Sequence, residues 1–389
     1  MIDFPTSISD LRNRSEKEQD RAGYKHTLRE ILQQPATITS TCERMLTSTE
    51  QLKQFCRTVE SIVLTGSGSS EYVGNCVSFA LQHNLGKHVE AIASGALLTN
   101  VSSALPPARP LLMVSIARSG DSPESAGCLL RMLESEPDVR HLVITCNATG
   151  KLASRFRDDQ RVTVIALDER TNDRSLVMTS SFTAMAIAAR GLGLLDAPDR
   201  YRSIARRTSA TIEHLIQHDA DTLLSVSQLG FNRAVYLASA TRFGVVREAG
   251  LKMLEMTAGR VATLGETYLG LRHGPMSFLD KQTLIVCFVS GNPVTRAYEV
   301  DLIRELDHKN LGLCKVILGE GVPADIRRPE DVVIECQGLS KLGDEDSGIV
   351  DVVAAQLLAF GRCLKEGLRP DSPSQSGIIN RVVEDFQLH

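Results

Sequence analysis

Short apolar runs alternate with stretches of helical spacing along most of this chain. Residues 61–65 (SIVLT) form a β-branched run, followed by the turn GSGSS and by EYVGNCVSFALQHN, where apolar positions recur every three to four residues. Strand, glycine turn and helix are therefore predicted in that order. LLMVSIA (111–117) and HLVITC (141–146) alternate with the helical SPESAGCLLRMLES, and VTVIAL (162–167) adds another strand. Runs with no polar alternation belong to strands buried on both faces, which predicts a parallel sheet covered by helices.

The order then repeats. AVYLAS begins at 234 and ends in a small-residue turn, SATRFG, followed by the helical VVREAGLKMLEMTAG. TLIVCFVS (283–290), LCKVILG (313–319) and DVVIEC (331–336) follow, with helical RAYEVDLIRELDHKN between the first two. Two doubly wound α/β domains are expected, at about 50–195 and 225–370, joined by a helix over 196–224. Residues 1–49 form a helical extension whose segment HTLREILQQP should end at Pro35. Residues 371–389 form a tail; RPDSPSQSGIINRVV (369–383) has the composition of a loop laid over a surface. The basic run RYRSIARR (200–207) falls in the connecting helix and reads as a solvated face.

At 389 residues with 42% hydrophobic content, the chain can bury more than one core. Lys+Arg 43 against Asp+Glu 47 leaves a formal charge of -4, which disfavours nucleic acid as the main partner. No Trp and 4% aromatic residues argue against a stacking platform. The first residues lack a basic n-region and an apolar h-region, and no uninterrupted apolar stretch is long enough for a bilayer span, so no membrane role is expected and the cytoplasm is the expected location. The nine Cys are scattered and never spaced C-x-x-C, which favours reduced, packed thiols over disulfides or a zinc site.

Candidate chemistry concentrates at four places. The turn Gly66-Ser67-Gly68-Ser69-Ser70 lies between strand and helix and suits an anion, because glycines expose backbone N–H groups and a helix N-terminus is electropositive. A tight turn without a ligand and a nucleotide cofactor stay open, although Glu71 replaces the last Gly of the dinucleotide fingerprint. In Arg118-Ser119-Gly120-Asp121-Ser122-Pro123, Ser122 as N-cap and Pro123 as first helical residue make a second helix start, with Ser119 and Ser122 able to donate to phosphate. Glu248, Lys252 and Glu255 share one helix face, as a charge set or as a solvated ion-paired surface, while Leu251, Met253, Leu254 and Met256 are expected to line the core. His273, in LGLRHGPMSF, is expected in a turn.

Together, GSGSSE, SIARSGDSPES, RTNDRSLVMTSSF, REAGLKMLEMTAG and LRHGP resemble the sugar-isomerase (SIS) double domain, which includes the isomerase half of glucosamine-6-phosphate synthase. LREILQQP, HLVITCN, MTSSFTAM and PDSPSQSGIINRVV narrow the resemblance to the AgaS-type galactosamine-6-phosphate deaminase/isomerases. The resemblance implies flavodoxin-like three-layer domains and a homodimer or higher homo-oligomer acting on a sugar phosphate, with no cofactor and no metal. It implies phosphate or substrate contacts from Ser67, Ser69, Ser70, Arg118, Ser119 and Ser122, with Asp173, Thr179 and Ser180 near the sugar. Glu255 takes the place of the proton-shuttling carboxylate, Glu248 and Lys252 those of its supporting charges, and His273 that of the ring-opening histidine, donated by the partner subunit. The tail is implied to lie over the active site. Residues 369–383 contain no Lys, so the tail imine of synthase-type relatives is not expected.

The implied reaction is deaminating aldose–ketose isomerisation of galactosamine 6-phosphate. The alternatives are plain isomerisation of a hexose 6-phosphate such as tagatose 6-phosphate, and a non-catalytic sugar-phosphate sensor.

Overall fold

The computed structural model describes residues 7–383 and 387–388. Ten strands, β1 (Ser61–Gly66), β2 (His88–Ala93), β3 (Leu111–Ala117), β4 (Val139–Thr145), β5 (Val162–Ala166), β6 (Arg233–Ala238), β7 (Ala262–Thr267), β8 (Thr283–Phe288), β9 (Cys314–Gly319) and β10 (Val332–Glu335), form two sheets. The first has the order β2-β1-β3-β4-β5 and the second β7-β6-β8-β9-β10, every pair parallel. Both sheets thus have one winding, and the strand order reverses between β1 and β3 in one and between β6 and β8 in the other. Crevices for ligands open beyond the carboxyl ends of the strands at such reversals.

The apolar runs are buried as their composition requires: every residue of β1, β3, β8 and β9 is buried. Leu129 and Met132 of helix Pro123–Ser135 join Val63, Met113 and Val143 in one core; Leu302, Ile303 and Leu306 of helix Pro293–His308 join Val235, Ile285 and Ile317 in the other. Helix Asp344–Lys365 is apolar and long enough to cross a bilayer, yet 89% of its apolar window is buried within the protein. It is a core helix.

The chain forms two compact units. One holds β1–β5 and comprises Ala36–Asp173, Met178–Arg206 and the described part of Gly377–His389; the other holds β6–β10 and comprises the described part of Met1–Pro35, Arg174–Val177 and Arg207–Ser376. Helix Lys25–Leu32 packs in the β6–β10 unit, where Asp371 receives the N–H groups of His26 and Thr27 at 3.2 and 2.7 Å and the Thr27 hydroxyl at 2.8 Å. Tyr24 stands edge-on to Phe360, ring centroids 6.2 Å apart. Pro35 is the second residue of helix Gln34–Leu46 rather than the end of the preceding helix; a first-turn Pro removes only an N–H that has no partner in a helix anyway. The connection carries two helices, Pro198–His218 and Ala220–Ser227. None of the nine Cys forms a disulfide, and eight of them are buried.

Candidate active site

In the β1–β5 unit the crevice is built from the turns after β1 and β3. Gly66 is obligatory there, since a Cβ would lie 2.7 Å from the carbonyl carbon and the Cβ of Ser70. Gly68, at φ 56°, precedes helix Ser69–Leu85, which places Ser69 and Ser70 in its first turn, where the Ser70 N–H donates to Ser67 O at 3.2 Å. Ser69 and Ser70 are buried; Ser67 is exposed, its hydroxyl 2.6 Å from that of Ser94. After β3, the Ser119 hydroxyl accepts the Asp121 N–H at 3.2 Å, and Gly120 turns the chain at φ 66°. Ser122 is the N-cap of helix Pro123–Ser135, and its hydroxyl makes no capping bond. The two helix N-termini follow adjacent parallel strands and so lie at the same end of the sheet, where such N-termini suit an anion.

A third loop, not anticipated from the sequence, braces this one. Asn147 donates its side-chain amide to Ser119 O at 3.0 Å, the Lys151 N–H reaches Asp121 Oδ1 at 3.0 Å, and the Leu152 N–H reaches Gly120 O at 2.8 Å. A Cβ on Gly150 would lie 2.1 Å from Ser119 O, so only glycine allows the approach.

Arg118 is 7% exposed and donates to the carbonyl of Arg381 in the tail at 2.7 Å. Arg381 in turn donates to Asp173 O at 2.8 Å and to Asn172 Oδ1 at 2.7 Å. The tail thus meets the Arg118 loop through a residue the sequence did not single out, although it lies in the quoted NRVV motif. Residues 384–386 and 389 of the tail lie outside the described residues.

Asp173 is placed differently from the substrate contact that the resemblance implied. It is wholly buried, and its carboxylate receives the N–H groups of Thr179 and Ser181 at 2.8 and 2.9 Å and the hydroxyls of Ser180 and Ser181. It caps helix Ser180–Gly191, with Thr179 as N-cap residue. Both Asp173 and Ser180 hold the shape of the fold beside Arg381.

The β6–β10 unit carries the charge set. Helix Phe243–Met256 follows β6 and buries Glu248 and Lys252 with no side-chain exposure. The Lys252 ammonium lies 2.5 Å from Glu255 Oε2 and 3.4 Å from Glu248 Oε1, and Glu255 keeps 22% of its side chain exposed. A solvated ion-paired surface is therefore ruled out: the cation is inside, and only the Glu255 carboxylate reaches solvent. A carboxylate held this way can accept and return a proton beside a fixed positive charge. Met253 and Met256 do line the core, but Leu254 is 41% exposed.

His273 is exposed. Its N–H donates to Gly270 O at 2.9 Å, closing the turn after helix Tyr268–Leu271, and Gly274 (φ 118°) and Pro275 follow. Its imidazole makes no hydrogen bond among the described residues, so the structure does not join it to the Lys252 trio.

No protein-family model matches the sequence. An AgaS protein of Streptomyces coelicolor is 35% identical over 376 residues, covering 94% of this chain and 95% of its own. The D-galactosamine-6-phosphate deaminase AgaS of Escherichia coli O157:H7 is 34% identical over 330 residues, 84% and 85% of the two chains.

The chain belongs to the AgaS family of SIS proteins.

Among solved structures, the tagatose-6-phosphate ketose/aldose isomerase of Escherichia coli superimposes with a TM-score of 0.81 at 31% identity, covering 91% of this chain and 95% of that one. The duplicated parallel sheets are those of an SIS protein of this family.

Proposed function

We propose that this AgaS-family enzyme converts galactosamine 6-phosphate and water to tagatose 6-phosphate and ammonia. The observation that carries the proposal is the Lys252 trio: a fully buried cation holding one partly exposed carboxylate, Glu255, in a chain whose relatives include a D-galactosamine-6-phosphate deaminase.

Phosphate recognition is assigned to the β1–β5 unit. Ser67, Ser69, Ser70, Ser119 and Ser122, the two helix N-termini and the Arg118 guanidinium supply donors for a dianion. Proton transfer is assigned to the β6–β10 unit. With the sugar ring open, Glu255 takes the carbon-2 proton to give an enolamine and returns it to carbon-1. The resulting carbon-2 imine is hydrolysed by water, which leaves a ketone and releases ammonia. Lys252, 2.5 Å from Glu255, holds that carboxylate in place and stabilises developing negative charge, and Glu248 holds Lys252 in place. His273, whose exposed imidazole is free to act on another molecule, is assigned to ring opening in the site of a second copy of this chain.

Plain aldose–ketose isomerisation is the second reading, favoured by the E. coli neighbour described as a tagatose-6-phosphate ketose/aldose isomerase. It uses the same shuttle and releases no nitrogen. Coupled ammonia release from galactosamine 6-phosphate, with glucosamine 6-phosphate as matched control and tagatose 6-phosphate assayed for isomerisation, separates the two. Ammonia from the galacto substrate is the expected result; interconversion of ketose and aldose phosphates without ammonia moves the function to isomerisation, and silence on all three overturns both.

A further inference from the structure

The two halves share more than their strand order. After β3 the chain reads Ser119-Gly120-Asp121-Ser122-Pro123, and after β8, the corresponding strand, it reads Ser290-Gly291-Asn292-Pro293. In both loops the serine hydroxyl accepts an N–H from two residues ahead, Asp121 to Ser119 at 3.2 Å and Asn292 to Ser290 at 2.9 Å. In both, proline is the first residue of a long helix. In the second loop the donors already have an anion. The Glu299 carboxylate, fully buried, accepts the Ser290 N–H at 2.6 Å and, from the turn after β6, the Ser239 hydroxyl at 2.5 Å. It therefore bridges the same two turns that form the serine crevice in the first half.

A buried cation faces it. The Arg242 guanidinium, 1% exposed, lies 3.6 Å from Glu299 and 2.9 Å from Asp351, and its Nε has no hydrogen-bond partner among the described residues. The Ser290 hydroxyl donates to Asp344 at 2.5 Å, which closes the other side. In the first half, the residue six places beyond Pro123 is Leu129; in the second, the residue six places beyond Pro293 is Glu299.

We infer that the second half retains an oxyanion cradle formed by Ser239, Ser290 and Arg242, kept closed by Glu299 as a resident anion, and that removing this carboxylate opens a second site for phosphate or a small carboxylate. The duplicated fold then holds one ligand phosphate per chain, and the helix after β6 is left to carry the Lys252 trio. The inference rests on the assignment of the Ser119 loop to phosphate, and one experiment separates the two.

Inorganic phosphate and acetate are titrated into wild type and Glu299→Ala, with chloride at equal ionic strength as control, following Tm and binding stoichiometry. Wild type should take up about one phosphate per chain and Glu299→Ala about two, with Tm of the variant recovering saturably in phosphate or acetate. Glu299→Gln should lose Tm without recovery, because the amide still fills the cradle. If Glu299→Ala is insoluble in chloride buffer, folded yield recovered from phosphate buffer is the readout. A variant whose Tm, stoichiometry and yield respond to these anions no more than wild type overturns the inference. A wild type that takes up no phosphate overturns the Ser119 assignment instead.

Discussion

Lys252→Met is the substitution whose two effects the structure separates most clearly. Neither Lys252 nor Glu248 has exposed side-chain surface, so the variant leaves a buried carboxylate without the cation that faces it. Removing one member of a buried pair costs about 3–5 kcal/mol. The Lys252–Glu255 contact is left out of this figure because Glu255 is partly solvated, where ion pairs are worth ~1 kcal/mol or less. With about 2.1 cal/mol/K of unfolding entropy per residue over 389 residues, the fall in Tm is roughly 4–6 °C. Lys252→Met combined with Glu248→Leu removes both charges and should regain most of the loss, since apolar replacement of a buried pair is close to neutral. Turnover should remain lost in both, because Glu255 has no cation beside it in either. Denaturant unfolding at neutral pH, read beside turnover, tests this. A single variant within about 1 kcal/mol of wild type, or a double variant no more stable than the single one, refutes the claim that burial of the trio sets its energetics.

His141 on β4 has both ring nitrogens buried without a hydrogen bond, and burial holds its pKa down to about 4 from the ordinary 6.5. The unfolded chain therefore binds a proton in this window that the folded chain does not, so stability is full above about 6.5 and falls as pH drops towards about 4, by at most ~3 kcal/mol. His141→Leu should flatten that fall in denaturant curves taken at pH 7 and pH 5; parallel losses in both proteins count against it. Gly150→Ala drives a methyl group into Ser119 O and should raise KM for the phosphosugar by about tenfold or more, with kcat changed less. An unaltered KM would show that the brace does not position the Ser119 loop.

The doubling of the fold was legible because the strands that report it are buried on both faces: SIVLT, LLMVSIA, AVYLAS and TLIVCFVS are nearly unbroken apolar runs, and β1, β3 and β8 are wholly buried. β2 and β7 were missed for the opposite reason. Each pairs with only one strand, and HVEAIA and ATLGET carry Glu, His or Gly on partly exposed positions, which strands disfavour. Helical spacing placed Glu248, Lys252 and Glu255 on one face but gave no account of what covers it; burial of Lys252 comes from tertiary packing. The resemblance implied Asp173 near the sugar, but nothing in the sequence showed it as the cap of helix Ser180–Gly191, because its donors lie six to eight residues ahead across an irregular turn. The Asn147–Gly150 brace and the Arg118–Arg381 pair join residues distant in sequence that no local pattern connects.

The most direct test of the proposed chemistry is ammonia release from galactosamine 6-phosphate by Glu255→Gln beside wild type, with phosphate binding measured on the same samples. Loss of the proton shuttle should lower turnover by about 10²- to 10⁴-fold while phosphate binding is retained. Near-normal ammonia release from Glu255→Gln would contradict the assignment of Glu255 as the group that moves the proton.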